Sequence, residues 1–174
     1  MTISPAIGAT TENTITLDFT YDASGTPLSV NYNGTYYYYV TDLQGDVVAI
    51  VDTEGEKVVE YLYDAWGRLL KTSGTKAADL GVHNPLRYRG YVYDTESGLY
   101  YLQSRYYNPT LGRFINADSV DYLGAGNNLI SYNLFVYCGN NPVMGYDPLG
   151  HWDWGWDDQL AFGTGVLIIG LALL

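Results

Sequence analysis

The 174-residue chain has few of the residues that most often carry chemistry, with one cysteine, Cys138, and two histidines. A single cysteine excludes an intrachain disulfide and a thiolate metal cluster, so Cys138 is predicted to be a small buried residue. Basic residues are also few, since eight lysines and arginines stand against nineteen acidic residues, for a net charge of −11. Because binding to a phosphate backbone needs a basic surface, we expect no nucleic-acid partner.

Long hydrophobic runs and targeting signals are scarce. The N-terminus, MTISPAIGATTENTITLDF, has neither the basic start nor the apolar stretch of a secretion signal. Residues 162–174, FGTGVLIIGLALL, form an uncharged run of thirteen residues, whereas a bilayer-spanning helix needs roughly 20. Membrane contact through residues 162–174 is one hypothesis for this tail, and packing as a terminal strand or helix is another.

Tyrosine and glycine are abundant instead, at nineteen and twenty residues. A recurring Asp-x-x-Gly phrase predicts hairpin turns, because the aspartate caps backbone N–H groups and the glycine takes a positive φ. Alternating residues between the phrases predict strands over residues 36–40, 47–51 and 58–63. The phrases run from Asp22 to Gly25, Asp42 to Gly45, Asp52 to Gly55 and Asp64 to Gly67.

Repeated hairpins of this kind cannot bury a face alone, so they are predicted to stack into an extended sheet. An ordinary β-sandwich with similar turns is the alternative. A second segment, residues 87–119, concentrates seven tyrosines and four of the five arginines. Within it, residues 99–107 alternate with the two-residue period of a strand. We expect these arginines to pack on tyrosine rings and to bond to neighbouring strands rather than to bind a ligand.

Together these features resemble the RHS/YD-repeat proteins and their repeat-associated core, of the polymorphic-toxin type. The resemblance covers residues 20–150 and depends on the ordered core sequence RYRGYVYDTESGLYYLQSRYYNPTLGRFINADS. It implies a mainly β fold in which stacked antiparallel YD-type hairpins form part of an RHS β-shell, with a short irregular or helical C-terminal plug. It also implies that the core closes the shell ahead of a variable C-terminal effector, often a toxin.

The resemblance further implies a division of the chain and a set of partners. The expected parts are a leading strand or linker (1–19), YD-type hairpin repeats (20–83), the repeat-associated core with its DPxG-type end (84–150) and the start of the variable region (151–174). The partners would be the remainder of the shell and the downstream effector, which a cognate immunity protein would bind. The protein would be secreted or at the cell surface, with no cofactor or metal.

Self-cleavage by an aspartic-type peptidase, acting once on its own backbone, is also implied. Asp118 and Asp147 would be the two carboxylates, since close carboxylates cannot both ionise and one then donates a proton while the other activates water. Arg113 would hold one of them through a bidentate contact. The scissile bond would be His151–Trp152.

The same residues leave alternatives open. Asp147 begins a further Asp-x-x-Gly phrase, which is ordinary turn chemistry, and Asp121 is a second candidate for the role of Asp118. The sequence departs from the family pattern with His151 where the family has leucine, and with Ser119 where proline is common. A different class of function also remains, because tyrosine-rich strands suit a surface-adhesion module that binds carbohydrate or protein without catalysis.

Overall fold

The structure is a computed structural model that describes residues 15–151 except Ser24 and residues 125–127. The chain divides into two compact units, residues 1–101 and 102–174. No helix in the described part is long and apolar enough to cross a membrane. Trp152 and the apolar tail, residues 162–174, lie outside the described residues.

Short strands dominate the described residues, which confirms the predicted mainly β fold class. The helical pieces are α1 (Leu80–His83) and 3₁₀ turns at Tyr88–Gly90, Val120–Tyr122, Leu129–Tyr132 and Cys138–Asn140. The strands are β1 (Leu17–Tyr21), β2 (Pro27–Tyr32), β3 (Thr35–Thr41), β4 (Val47–Val51), β5 (Lys57–Tyr63), β6 (Leu69–Ser73), β7 (Val92–Asp94), β8 (Leu99–Leu102), β9 (Arg105–Asn108) and β10 (Arg113–Phe114).

In the first unit, β1 to β6 form one antiparallel sheet in chain order. Each Asp-x-x-Gly phrase connects two of these strands, and the strand register shifts just before the phrase. At Asp42, Oδ1 accepts hydrogen bonds from the N–H groups of Gln44 (2.9 Å) and Asp46 (3.0 Å). Gly45 in this turn has φ +85°, which glycine adopts without steric cost. The predicted turn chemistry is therefore confirmed.

One face of this sheet is buried and forms the core of the first unit. The predicted strands over residues 36–40, 47–51 and 58–63 are confirmed within β3, β4 and β5. Burial of each large apolar side chain stabilises the unit by about 1.5–3 kcal/mol relative to exposure. The core residues are Leu17, Val30, Tyr32, Tyr37, Val47, Ile50, Val58, Val59, Tyr61 and Leu80.

Arg87 is buried in the first unit and packs on aromatic rings. Its guanidinium carbon lies 4.5 Å from the ring centroid of Tyr93 and 5.3 Å from that of Tyr61. Its Nη2 also donates to the carbonyls of Gly81 and Val82, both at 3.2 Å. For Arg87, the predicted use of arginine in cation–π packing and hydrogen bonding is confirmed.

The alternating run over residues 99–107 forms two strands and not one. β8 ends at Leu102 and β9 begins at Arg105, and Gln103 between them has φ +61°. The reversal at Gln103 and Ser104 contains none of the Gly, Asn, Asp or Pro residues that mark most short turns. Sequence periodicity therefore gave no sign of it.

In the second unit, β9 and β10 pair in antiparallel fashion, with Tyr107 opposite Phe114. Both rings are fully buried. They pack against Tyr137, whose ring centroid lies 4.1 Å from that of Tyr107 and 5.8 Å from that of Phe114. The N–H of Phe114 donates to the carbonyl of Phe135 at 3.0 Å. This aromatic core fixes β9 and β10 against the segment around residue 135.

Candidate functional site

A buried group of charges surrounds Arg105 at the start of β9. Arg105 Nη2 lies 2.9 Å from Asp118 Oδ2 and 3.5 Å from Asp147 Oδ2. The three side chains are 3%, 6% and 0% exposed. Because charges that are shielded from water interact strongly, this arginine holds both carboxylates in place. The structure thus brings together the two carboxylates that were predicted to act as a pair.

Arg113 lies elsewhere in the second unit. Its guanidinium carbon is 4.7 Å from the ring centroid of Phe135, and the residue is exposed. Neighbouring residues in a strand point to opposite faces, and Phe114 is the one that is buried. The prediction that Arg113 orients a catalytic carboxylate is therefore corrected, because Arg105 makes those contacts.

Asp118 is positioned by the backbone around it. Its N–H donates to the carbonyl of Leu134 at 2.9 Å, and the same carbonyl accepts from Arg105 Nη1 at 2.9 Å. The N–H of Ser119 donates to Asp118 Oδ1 at 2.8 Å. The alternative carboxylate, Asp121, is exposed and accepts from Ser119 Oγ at 3.1 Å. The geometry thus favours Asp118 over Asp121 as the partner of Asp147.

The segment that carries Asp147 is held by the turn between β8 and β9. Three successive side chains, those of residues 103–105, donate to three successive carbonyls, those of residues 148–150. We call this arrangement the 103–105 cradle, and it fixes the last three residues of the predicted end motif. The pairs are Gln103 with Pro148 (3.3 Å), Ser104 with Leu149 (2.7 Å), and Arg105 with Gly150.

The carboxylate of Asp147 is fully buried, and its pKa is higher than that of an ordinary aspartate. Burial is the main cause and raises its pKa from 3.8 to about 6. Arg105 and the N–H groups of Gly150 and His151 act in the opposite direction, and the His151 N–H donates to Oδ1 at 3.0 Å. Asp147 is therefore about half protonated near pH 6, where an ordinary aspartate is fully ionised.

The side chain of His151 reaches the other carboxylate. Its Nδ1 atom lies 2.6 Å from Asp118 Oδ1. Its ring stacks on that of Tyr122, with centroids 5.2 Å apart and planes at 15°. Residue 151 therefore contacts Asp147 through its backbone and Asp118 through its side chain.

A small cavity of about 20 Å³ adjoins Asp118 and Arg105. This volume is sufficient for about one water molecule, and the lining offers polar partners for it. Among the described residues, no group of three or more histidine, cysteine, aspartate or glutamate side chains could hold a metal ion. The cavity is lined by Arg105, Asp118, Tyr122, Ser131, Asn133, Leu134 and Val136.

Sequence reasoning missed Arg105, Tyr122 and the 103–105 cradle. The sequence predicted only that Arg105, like the other arginines of residues 87–119, packs on tyrosine rings and bonds to neighbouring strands. It occupies an inward-facing position, with its guanidinium carbon 3.5 Å from the ring centroid of Phe114. A buried arginine needs carboxylate partners because an unpaired buried charge is costly. That requirement was the one signal that could have joined it to Asp118 and Asp147.

Comparison with known proteins identifies relatives that are much longer than this chain. The tRNA nuclease WapA of Bacillus subtilis is 44% identical over 143 residues, which cover 82% of this chain and 6% of that protein. The double-stranded DNA deaminase toxin A of Burkholderia cenocepacia is 35% identical over 115 residues, which cover 66% of this chain and 7% of that protein. The chain therefore spans only a small part of the length of these relatives.

Solved structures and a family model agree with these relatives. The crystal structure of TcdB2-TccC3 matches with a TM-score of 0.63 and 26% identity, over 79% of this chain and 7% of that chain. The structure of TcdB2-TccC3 without its hypervariable C-terminal region matches with the same TM-score and identity, over 79% of this chain and 6% of that chain. The family model described as Teneurin YD-shell matches residues 9–143. The chain therefore belongs to the RHS/YD-repeat proteins, in the Teneurin YD-shell family.

Proposed function

We propose that this chain is the closing segment of an RHS β-shell in a longer secreted or cell-surface toxin. The shell would enclose and deliver a C-terminal effector, and the chain would cut its own backbone between His151 and Trp152. The observation that carries the self-cleavage proposal is the meeting of Asp118 and Asp147 on Arg105, where both carboxylates also contact His151.

The names of the relatives support a shared shell segment. One is a tRNA nuclease and another a DNA deaminase toxin, and these are different chemistries. A segment that both proteins share is better explained as common architecture than as the source of either activity. The partners would thus be the remaining shell and the effector, and a cognate immunity protein would bind the effector. The division at residues 19, 83 and 150 belongs to the same proposal.

The two carboxylates suit different roles in aspartic-type hydrolysis. Asp118 is the closer of the two to Arg105, at 2.9 Å against 3.5 Å, and the adjoining cavity has room for a water molecule. Asp118 would accept a proton from that water. Asp147, whose pKa is raised to about 6, would donate its proton to the carbonyl oxygen of His151.

The covalent step follows from these roles. The water oxygen bonds to the carbonyl carbon of His151, and the tetrahedral intermediate then collapses. The bond from that carbon to the nitrogen of Trp152 breaks, and the leaving nitrogen takes the proton that Asp118 received. Asp147 regains its proton from the collapsing hydroxyl. The reaction is a single turnover, because the 103–105 cradle holds residues 148–150 and so retains the product.

Mass spectrometry of the purified 174-residue chain tests self-cleavage. We expect products of residues 1–151 and 152–174, and faster cutting at pH 5.5 than at pH 8, because Asp147 must be protonated. Asp118→Asn and Asp147→Asn should abolish the cut, while the control Asp121→Asn should retain it. An intact wild-type chain would refute self-cleavage and leave the shell proposal standing.

Chemical cleavage at the acid-labile Asp147–Pro148 bond is a separate outcome with its own signature. Its products would end at Asp147, and it would persist in Asp118→Asn, which removes only the proposed base. For the shell role, the measurement is protection of the polypeptide after His151 from added protease, in a protein that joins this chain to the preceding repeats. Equal digestion before and after denaturation would contradict enclosure.

A binding module without catalysis is a second candidate, and one feature favours it. On β3, Tyr37 is buried but Tyr36 and Tyr38 are 52% and 43% exposed. Neighbouring exposed tyrosines suit contact with carbohydrate or protein. A glycan-array signal that is lost in Tyr36→Ser/Tyr38→Ser would support this function, and no signal from the folded wild-type chain would exclude a carbohydrate ligand.

A further inference from the structure

The position before the proposed scissile bond is occupied by a side chain that the site contacts on two sides. His151 Nδ1 lies 2.6 Å from Asp118 Oδ1, and its ring stacks on Tyr122 with planes at 15°. The side chain is 34% exposed. Its backbone N–H donates to Asp147 at 3.0 Å. Residue 151 is therefore fixed through its backbone and its side chain together.

One short loop supplies both contacts to the imidazole. Asp118 precedes the 3₁₀ turn Val120–Tyr122. Ser119 caps this turn, since its Oγ accepts from the N–H of Asp121 at 3.3 Å. The turn places the Tyr122 ring against the imidazole that Asp118 contacts. Carboxylate and ring are thus spaced by local structure, since a capped turn fixes the backbone between them.

The two departures from the family pattern meet at one atom. Asp118 Oδ1 accepts from the N–H of Ser119 at 2.8 Å and lies 2.6 Å from Nδ1 of His151. A proline at position 119 has no backbone N–H to donate, and the side chain of a leucine at position 151 has no polar atom. Both residues that differ from the pattern therefore supply hydrogen-bonding groups to the same carboxylate oxygen.

We propose that Asp118 and Tyr122 form a subsite that selects an imidazole side chain immediately before the scissile bond. The inference rests on the proposed self-cleavage. The imidazole of His151 makes two contacts in this subsite: its Nδ1–H donates to the Asp118 carboxylate, and its flat face stacks on the ring of Tyr122. Leucine provides neither contact, and a site that is built to accept a hydrogen bond discriminates strongly against a side chain that lacks the donor.

The test is a double-mutant cycle on the cleavage rate of the 174-residue chain, using His151→Leu, Tyr122→Leu and the combined variant. Each single change should slow cutting at His151–Trp152 by about tenfold or more, as expected when a specific polar contact is lost. Because the two residues act together, the double variant should be no more than about twofold slower than the slower single variant. A His151→Leu rate within twofold of wild type, or fully multiplicative effects, would overturn the proposal.

His83→Leu is the matched control. His83 lies in the first unit, where its ring also stacks on a tyrosine, Tyr32, at 6.1 Å and 22°. Its Nδ1 is 3.8 Å from a carboxylate oxygen of Asp79. The same chemical change at this position should leave the cleavage rate within twofold of wild type. A rate that falls as far as in His151→Leu would attribute the loss to general destabilisation and refute a selective subsite.

Hydrogen exchange separates failure of the subsite from failure of the proposed cleavage. If the wild-type chain is never cut, the proposed function fails, but the contacts of His151 still make a prediction. The amide of residue 151 should exchange about tenfold faster in Tyr122→Leu and in His151→Leu than in wild type, and unchanged in His83→Leu. Equal protection in all four proteins would show that the side chain does not hold this segment, and the subsite would be refuted whatever the cleavage result.

Discussion

Arg105 Nη2 lies 2.9 Å from Asp118 Oδ2, and this buried ion pair organises the second unit. The guanidinium also contacts Asp147 Oδ2 and donates to the carbonyls of Leu134 and Gly150. One side chain therefore joins β9 to three separate segments. Because a charge this deeply buried depends on its partners, the stability of the unit and the geometry of the candidate site depend on the same residue.

Replacing Arg105 by methionine should destabilise the protein strongly. Two buried carboxylates would lose their counter-charge, and breaking a buried pair in this way costs about 3–5 kcal/mol. Arg113→Met is the matched control, because that arginine is exposed and its guanidinium packs over the ring of Phe135. Its loss should cost no more than about 1 kcal/mol.

Urea denaturation at pH 7 measures both changes. Arg105→Lys adds a second comparison, since it keeps the charge but lacks the planar fork that reaches several oxygens, and it should fall between wild type and Arg105→Met. Equal destabilisation by the methionine variants at positions 105 and 113 would contradict the assigned roles.

Asp147 should make the stability depend on pH. Its pKa is about 6 in the folded protein, because burial raises it, against 3.8 as the ordinary value. Between these values the folded chain holds a proton that the unfolded chain has released. The stabilisation of the folded chain by this proton is therefore fully present below pH 4 and is lost as the pH rises through 6. The free energy of unfolding should fall by about 2–3 kcal/mol over this range.

Asp147→Asn removes this titrating group, so the free energy of unfolding of the variant should change less between pH 4 and pH 7 than that of wild type. The measurement is the free energy of unfolding at pH 4.5 and pH 7.5 for wild type, Asp147→Asn and Asp121→Asn. The exposed Asp121 serves as control, and its variant should follow the wild-type profile. Parallel profiles for wild type and Asp147→Asn would show that the buried carboxylate is not the source of the pH dependence.

The sequence predicted the first unit better than the second. Asp-x-x-Gly phrases act locally, since Asp42 caps its own turn and Gly45 closes it, so a short window contains the whole cause. The candidate site depends on contacts between distant segments. Asp118 and Asp147 entered through a family resemblance, but the choice between Arg105 and Arg113 depended on which strand face turned inward, and the turn at residues 103–104 had no recognisable signal.

Gly67 and Gly45 occupy equivalent turns but differ in their neighbours. Both have positive φ, +82° and +85°, so alanine strains the backbone in each case. A Cβ at Gly67 would lie 2.5 Å from Tyr88 ring atoms, whereas a Cβ at Gly45 would have no atom of the described residues within 4 Å. Gly45→Ala should thus cost about 1–2 kcal/mol, and Gly67→Ala about 1–3 kcal/mol more through overpacking.

Thermal denaturation of the two alanine variants checks this explanation, with Gly67→Ala measured both in the wild-type chain and in a chain that carries Tyr88→Leu. Removing the ring should bring the cost of Gly67→Ala close to that of Gly45→Ala. If the two glycine variants are equally stable in the wild-type background, the close approach of Tyr88 does not constrain the turn.

Gly150, the last residue of Asp147-Pro148-Leu149-Gly150, should be irreplaceable because the backbone just before the 103–105 cradle lies close to it. It has φ +74°, and a Cβ there would lie 2.6 Å from the carbonyl oxygen of Leu102. Since that oxygen belongs to the backbone, it cannot move aside as a flexible side chain would. Alanine should therefore displace the segment from Arg105, costing about 2–4 kcal/mol from backbone strain and overpacking together.

Gly98→Ala measures the backbone-strain part of this effect on its own. Gly98 has a similar φ of +71°, but among the described residues the only atom within 4 Å of an added Cβ is the Tyr93 hydroxyl oxygen at 3.8 Å. It should cost about 1–2 kcal/mol from backbone strain alone and leave cutting at His151–Trp152 intact. Gly150→Ala should abolish cutting even under conditions where the chain stays folded, because the backbone of residue 151 loses its position beside Asp147. Normal cutting in a folded Gly150→Ala chain would mean that the cradle does not position the scissile bond.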